Sequence, residues 1–276
     1  KSMKLRNKLI SMMMVLALGL SITACGKNAS DAAALTEEKA KPAQEEKSGS
    51  EGKFPFTLTT QDDIEVTFTH VPERVIAANA NAGDQLMAMG LGDKIIGRAY
   101  TNSVINPEWN DEYLKIPELS ETAPSLEAIL AQEPDFIYGR SSAFSEKNNT
   151  EHETLSGYDI MSLASIEGYT IGADVDVVYE DFYNLGRIFD LEEKADEIVE
   201  EMKAQIEAAE KAVKDQETVK VFVYDMAQDG GAYTCGNNFT AKLIEHAGGK
   251  NIFSDMDKTW ANVSWEEVVE LSLIHI

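Results

Sequence analysis

The residue types that most often take part in catalysis or metal binding are few in this chain, and they do not form a catalytic pattern. Its cysteines and histidines are spread over the whole length, at Cys25, Cys235, His70, His152, His246 and His275. None of the spacings between them is that of a metal site. No Ser-His-Asp arrangement, phosphate-binding loop or pair of catalytic carboxylates stands out either. We therefore expect a protein without enzymatic activity, resident cofactor or metal ion.

Arginine and aromatic residues lie in a few loops after apolar segments, and these side chains are suited to binding. Aromatic rings stack on bulky planar or chelate ligands, and an arginine offers charge to an anionic one. The candidate ligand-binding residues are Arg140, Tyr100, Arg98, Ser141, Phe144, Tyr233 and Trp260. Arg140 and Arg98 are the expected cationic contacts, because arginine is scarce in the chain. The alternatives are a plain surface charge for Arg140 and partly buried packing for the aromatic residues.

The first 53 residues predict export and a membrane anchor. Basic residues precede an apolar run from residue 9 to residue 20, which is typical of a secretion signal rather than a membrane span. The signal over 1–24 ends at Ile22-Thr23-Ala24-Cys25, which resembles the cleavage site of bacterial lipoproteins and implies a lipid on Cys25. A short apolar core helix is the alternative. Residues 25–53 hold almost no large apolar side chains, so we expect a disordered tether.

The segment 54–174 predicts an α/β lobe. Short apolar strands alternate with helices, which is the pattern of a parallel sheet covered by helices. The predicted order is strand 56–59, strand 64–68, strand 74–77, helix 82–90, strand 95–97, helix 125–132 and strand 136–138.

The segment 175–216 predicts a long helix between two lobes. Its apolar residues recur at helical spacing, and Asp190 is placed as a helix N-cap in the middle. Some forty helical residues would span ~60 Å, too long to cover one small sheet. We expect a strut, the alternative being an exposed coiled coil.

The segment 217–276 predicts a second lobe that repeats the first. It has a strand at 219–224, a loop over 225–238, a helix at 240–247 and a strand at 251–253. Ser264-Trp265-Glu266 then matches Ser125-Leu126-Glu127 as a serine N-cap followed by an acidic first turn. The sequence that starts at Ser125 continues through Pro134-Asp135 into a strand. Residues 271–276, which follow the sequence that starts at Ser264, do not match this continuation. We expect an incomplete second lobe with a non-native tail.

Three phrases resemble a known family. They are Pro72-Glu73-Arg74-Val75-Ile76, the run from Ser125 to Asp135, and Ala247-Gly248-Gly249-Lys250-Asn251-Ile252-Phe253 with the Ser264 phrase after it. In this order they resemble the helical-backbone (class III) substrate-binding proteins of ABC importers, which capture ferric siderophores, cobalamin or haem. The resemblance covers roughly residues 54–270.

This resemblance implies two Rossmann-like lobes with parallel central sheets, joined by a rigid helix, with a shallow cleft between them. The ligand loops should lie at the carboxyl ends of the strands. It further implies a monomer on the outer face of the membrane that delivers an iron chelate, haem or cobalamin to an ABC-importer permease. Glu146 falls about where the family's first permease-docking glutamate falls. A solvated surface role is the alternative, and Glu151 and Glu153 are rivals.

Other functions fit the sequence less well. A zinc or manganese receptor of the same two-lobe plan would need converging histidines and carboxylates, which the four scattered histidines do not provide. An enzyme of the nitrogenase-cofactor type would need cluster-binding cysteines. With 24 basic against 48 acidic residues, the chain carries a net charge of −24 and should repel nucleic acid.

Overall fold

A computed structural model of the chain describes residues 53–100 and 105–271. The predicted signal peptide, Cys25, almost all of the tether, residues 101–104 and residues 272–276 lie outside these ranges. Within the described ranges, no helix is both long and apolar enough to cross a membrane.

The first lobe opens with an antiparallel hairpin, β1 (Phe56–Thr59) and β2 (Glu65–Phe68). A five-stranded sheet follows, in which every pairing is parallel and the spatial order is β5-β4-β3-β6-β7. Its strands are β3 (Val75–Ala77), β4 (Ile95–Ala99), β5 (Glu118–Ser120), β6 (Phe136–Gly139) and β7 (Met161–Ala164). The predicted α/β lobe with a parallel sheet is confirmed, although β5 and β7 were not predicted.

Both faces of this sheet are buried, as expected of a parallel sheet covered by helices. Side chains alternate between two apolar cores along each strand. Val75 and Phe136 enter one core, and Ile76 and Ile137 enter the other. The helices of this lobe are α1 (Ala80–Ala88), α2 (Asn110–Tyr113), α3 (Leu126–Leu130) and α4 (His152–Ser156).

The two serine phrases form the caps that their sequences predict. The Ser125 side chain accepts a hydrogen bond from the N–H of Ala128 at the start of α3. Ser264 begins a later helix with a complete capping box, in which its hydroxyl accepts from the N–H of Glu267 and the Glu267 carboxylate accepts from the N–H of Ser264.

The predicted continuous helix over 175–216 is wrong. Two helices occupy this segment, α5 (Val175–Phe189) and α6 (Glu192–Val213). Asp190 is not an N-cap but the C-cap of α5, where a left-handed backbone with φ 59° ends the helix. Since the chain turns back there, α6 packs against α5, and a Cβ on Gly186 would lie 2.8 Å from that of Ala195. A helical hairpin with a shared core replaces the single strut.

Residues 217–271 form a smaller, mixed α/β unit. Its parallel pair is β8 (Val219–Val221) with β11, which occupies Gly249–Asn251 rather than the predicted 251–253. The predicted loop over 225–238 instead contains β9 (Met226–Gln228) and β10 (Gly231–Cys235), which pair antiparallel. Strand β12 (Trp260–Val263) pairs antiparallel with β10 and completes the sheet of β9 and β10. In the sequence, α7 (Phe239–His246) precedes this strand and α8 (Trp265–Glu270) follows it.

Candidate functional site

A cavity of about 660 Å³ lies between the carboxyl ends of the first-lobe strands and the loops of the second unit. Its first-lobe lining comes from the residues after β3, β4, β6 and β7, together with the start of α1, as the ligand-site rule for open parallel sheets predicts. Residues of α5, α7 and β12 complete the wall. The lining residues are Asn79, Ala80, Asn81, Asp84, Gln85, Tyr100, Arg140, Ser142, Glu167, Gly168, Val178, Asn238, Phe239, Thr240, Thr259 and Trp260.

The ends of β3 and β6 are held together by Asn79. Its side-chain oxygen accepts the N–H of Arg140 at 2.6 Å, which fixes where the arginine leaves the sheet. This contact needs a close approach of the two strands at Gly139. A Cβ there would lie 2.8 Å from the Cβ of Ala78 and 3.0 Å from the Asn79 oxygen.

Arg140 points toward Glu167, in the loop after β7. The Nε atom lies 3.2 Å from Oε1 of Glu167, and Nη2 donates to Oε2 at 3.3 Å. The Glu167 carboxylate also accepts from the side-chain amide of Asn81 at 2.9 Å. The carboxylate is 14% exposed and the arginine 41% exposed, and both residues line the cavity.

The loop that carries Glu167 is supported from beneath by Asp181 of α5. Both carboxylate oxygens of Asp181 lie within hydrogen-bond distance of the N–H of Ile166, at 3.0 and 3.2 Å. Burial raises the pKa of Asp181 well above its usual range, despite these hydrogen bonds. The hydroxyl of Ser141 donates to the carbonyl of Gly168 at 2.8 Å, so the loops after β6 and β7 are tied directly to each other.

Tyr100 and Asp84 define the first-lobe rim. Tyr100 ends β4 with a left-handed backbone, φ 51°, and its hydroxyl donates to the carbonyl of Ser142 at 3.2 Å. Asp84 lies on α1. Its Oδ1 accepts from the indole N–H of Trp109 at 2.8 Å and from the N–H of Asn106 at 2.9 Å.

Trp260 forms the aromatic wall on the opposite side. Its ring stacks on that of Tyr233, with centroids 5.8 Å apart and planes at 14°. Asn238 caps α7 by accepting from the N–H of Ala241, and it donates to the carbonyl of Thr259 at 2.9 Å. The stacked pair is therefore held by strand pairing on one side and by a capped helix on the other.

The structure brings three of the seven predicted binding residues, Arg140, Tyr100 and Trp260, to the cavity. Tyr233 lies behind Trp260 as its stacking partner. Ser141 holds a loop, and its neighbour Ser142 lines the cavity in its place.

Arg98 and Phe144 are not in the cavity lining, which removes them from the candidate site. Arg98 is buried. It lies 3.1 Å from the Glu118 carboxylate, and it donates to the carbonyl of Ile116. Phe144 is buried too, with its ring stacked on that of His152 at 4.2 Å.

The seven predicted binding residues include none of the acidic and amide side chains of the site. Asp84 and Gln85 belong to the helix predicted over 82–90, and Asn81 lies just before its predicted start; the position of all three after β3 was the available signal. Glu167 follows β7, a strand that was not predicted, so its position at a strand end could not be used as a signal.

The remaining predicted residues lie away from the cavity lining. Glu146 is exposed, at the first position of a short 3₁₀ helix. Cys235 is a buried free cysteine, and burial raises the pKa of its thiol to about 11, which makes it a poor nucleophile. In the described ranges no three His, Cys, Asp or Glu side chains lie together as metal ligands would.

Comparisons with known proteins agree with this architecture. The sequence profile of the periplasmic binding proteins matches residues 75–273. The ABC transporter substrate-binding lipoprotein YvrC of Bacillus subtilis is 22% identical over 84% of this chain and 72% of its own length. A cobalamin-binding protein of Halobacterium salinarum is 25% identical over 94% of this chain and 65% of its own length.

A solved structure extends the likeness to three dimensions. The protein of an ABC-type Fe³⁺-hydroxamate transport system from Saccharomonospora viridis superimposes with a TM-score of 0.66 and 28% identity, over 79% of this chain and 77% of that one. Since the family profile spans most of the first-lobe sheet, the helical hairpin and the second unit, this chain belongs to the periplasmic binding protein family.

Proposed function

We propose that this chain is an extracytoplasmic substrate-binding protein that captures a metal chelate and delivers it to the permease of an ABC importer. The chelate classes are ferric siderophores, cobalamin and haem. One observation carries the proposal: an open cavity with aromatic, amide and hydroxyl walls at the carboxyl ends of the parallel strands. Its volume of about 660 Å³ is typical of small-molecule sites.

The lining is suited to binding rather than to catalysis. Its ionisable groups are engaged by neighbours, as the contacts of Glu167 with Arg140 and Asn81 illustrate. The thiol of Cys235 and the imidazole of His152 are buried outside the lining. Aromatic side chains such as Trp260 provide apolar contact area, and side-chain amides provide orientation.

Membrane attachment through a lipid on Cys25 belongs to the same proposal. The sequence before Cys25 has the order of a lipoprotein signal, and the Bacillus relative is named a lipoprotein. A receptor attached in this way stays close to its permease, which raises its effective concentration there.

Delivery requires a surface that the permease recognises, and Glu146 is our candidate on the first lobe. The turn that carries it is held in place, because the Thr150 hydroxyl donates to the carbonyl of Ala143 at 2.8 Å and the amide of Asn148 donates to the hydroxyl of Ser145 at 3.1 Å. A fixed, exposed carboxylate is well suited to pair with a permease arginine.

Titration of the purified chain with ferrichrome, cyanocobalamin, haemin, Zn²⁺ and Mn²⁺ tests the proposal. Quenching of tryptophan fluorescence is the readout, because Trp260 lines the cavity. We expect saturable binding of at least one chelate. Binding of Zn²⁺ or Mn²⁺ without any chelate would overturn the proposal in favour of a metal-ion receptor.

A further inference from the structure

The cavity carries more negative than positive charge. Apart from tyrosine, its ionisable lining residues are Arg140, Glu167 and Asp84. The rest of the described lining is amide, hydroxyl, backbone or apolar. The undescribed residues 101–104, Thr-Asn-Ser-Val, have no ionisable side chain in their sequence. One positive group therefore faces two carboxylates.

The positive charge of Arg140 is already paired. Its guanidinium lies against the Glu167 carboxylate, with contacts of 3.2 and 3.3 Å. The carboxylate cannot swing away freely, because Asn81 donates to it from α1. The pair carries no net charge, so an anionic ligand that approaches the remaining N–H groups of the guanidinium also meets the negative charge of Glu167. Arg140 should therefore attract an anionic chelate less strongly than an unpaired arginine would.

Asp84 provides the excess negative charge. Both hydrogen-bond donors to its carboxylate in the described residues, the indole of Trp109 and the N–H of Asn106, are neutral. These bonds orient the carboxylate without cancelling its charge. The chain as a whole carries a net charge of −24, which adds to the negative potential around the cleft.

We infer that the cleft selects neutral or cationic metal chelates, of the ferric hydroxamate or corrinoid kind, and rejects anionic ones such as ferric catecholates and haem with its two carboxylates. Glu167 and Asp84 are the specificity-determining residues. The inference rests on the proposed function, since it names the ligand class of the same site. Specificity by repulsion is common in binding sites, because like charges brought together in a partly desolvated cleft strongly disfavour the wrong ligand.

The experiment compares five probes of different charge on the purified chain. They are cationic ferrioxamine B, neutral ferrichrome, neutral cyanocobalamin, polyanionic ferric enterobactin and anionic haemin. Dissociation constants are measured by fluorescence quenching at low and high salt. We expect the tightest binder to be cationic or neutral, and the two anionic probes to bind at least about tenfold more weakly, with a gap that narrows in high salt.

Neutral isosteres identify the residues responsible. Asp84→Asn keeps an oxygen acceptor for both of its donors and leaves the Arg140–Glu167 pair intact. Glu167→Gln frees the guanidinium. Each substitution should reduce the discrimination against ferric enterobactin by about tenfold. Glu207→Gln removes an equal charge from the exposed face of α6 and should leave the discrimination unchanged.

Two results overturn the inference and remain distinguishable. Ferric enterobactin or haemin binding as tightly as the best neutral probe shows that the charge selection is wrong while the proposed function stands. The charge selection is also wrong if Asp84→Asn and Glu167→Gln, both shown to be folded by circular dichroism, discriminate against ferric enterobactin as strongly as the wild type. If none of the five probes binds, the proposed function itself fails and the inference fails with it.

Discussion

The Nε2 atom of His246 lies 2.7 Å from Oδ1 of Asp174, which joins the end of α7 to the N-cap of α5. The other ring nitrogen lies 2.7 Å from a carboxylate oxygen of Glu210, in the last turns of α6. One imidazole therefore links the second unit to both helices of the hairpin. It fixes how the wall that carries Trp260 is attached to the rest of the site.

Replacing His246 should destabilise the protein mainly at mildly acidic pH. Burial alone would lower the pKa of His246, but the hydrogen bonds to Asp174 and Glu210 outweigh burial and raise it. A raised folded-state pKa means that the stabilisation is complete below the unfolded value near 6.5 and is lost as pH rises through the folded value. We expect His246→Gln to lower the free energy of unfolding by about 1 kcal/mol at pH 6, since both acids are partly exposed.

Urea unfolding at pH 6 and pH 9 measures this effect. The difference between the wild-type protein and His246→Gln should be smaller at pH 9. His70→Gln, at an exposed position, is the matched control and should change little at either pH. Equal destabilisation by His246→Gln at both pH values would contradict the charge-dependent link.

His152 should have the opposite pH dependence. It is buried against Phe144, with Nδ1 2.7 Å from the Ser162 hydroxyl, and burial lowers its pKa to about 4. Because the unfolded chain binds the proton more readily, stability falls as pH drops from 6.5 toward 4, by up to about 1.4 kcal/mol per pH unit from this group. His152→Gln should make the unfolding free energy less dependent on pH between 6.5 and 4.5. A slope equal to that of the wild type would refute this account.

Removing the aromatic wall should weaken binding without unfolding the protein. Trp260→Ala deletes the ring that lines the cavity and stacks on Tyr233. We expect the dissociation constant of the best chelate to rise at least about tenfold, equivalent to about 1.4 kcal/mol. Trp265→Ala is the matched control, because that ring is half exposed and stacks on Tyr224 outside the cavity lining. Similar losses in both variants would mean that the effect is structural. Isothermal titration calorimetry provides the comparison.

Glu146 should affect transport but not capture. In cells that depend on this receptor, Glu146→Gln should reduce uptake of the radioactive iron chelate or cobalamin severalfold, while the affinity of the purified protein stays unchanged. Glu153→Gln, at an exposed position of α4, tests the rival position. If Glu153→Gln lowers uptake and Glu146→Gln does not, the docking role belongs to Glu153.

Local sequence signals determined two helix caps, three strands of the first-lobe sheet and the family of this protein. The serine caps at Ser125 and Ser264 depend on hydrogen bonds to an N–H three residues away, so the local sequence is sufficient to predict them. The strands at 75–77 and 136–139 were predictable because both faces of a parallel sheet are buried and the residues form short apolar runs. The site residues Arg140, Tyr100 and Trp260 followed from their positions after strands or in loops.

Only the tertiary structure decided the break at Asp190 and the charge state of the cleft. Helical periodicity continues on both sides of Asp190, and a left-handed residue there is favoured only because α6 then packs its apolar face against α5. Likewise, the sequence around Arg140 does not indicate that its charge is paired. Glu167 is brought to it only by the parallel pairing of β6 with β7. Contacts between residues distant in sequence depend on packing and strand pairing, which local periodicity does not encode.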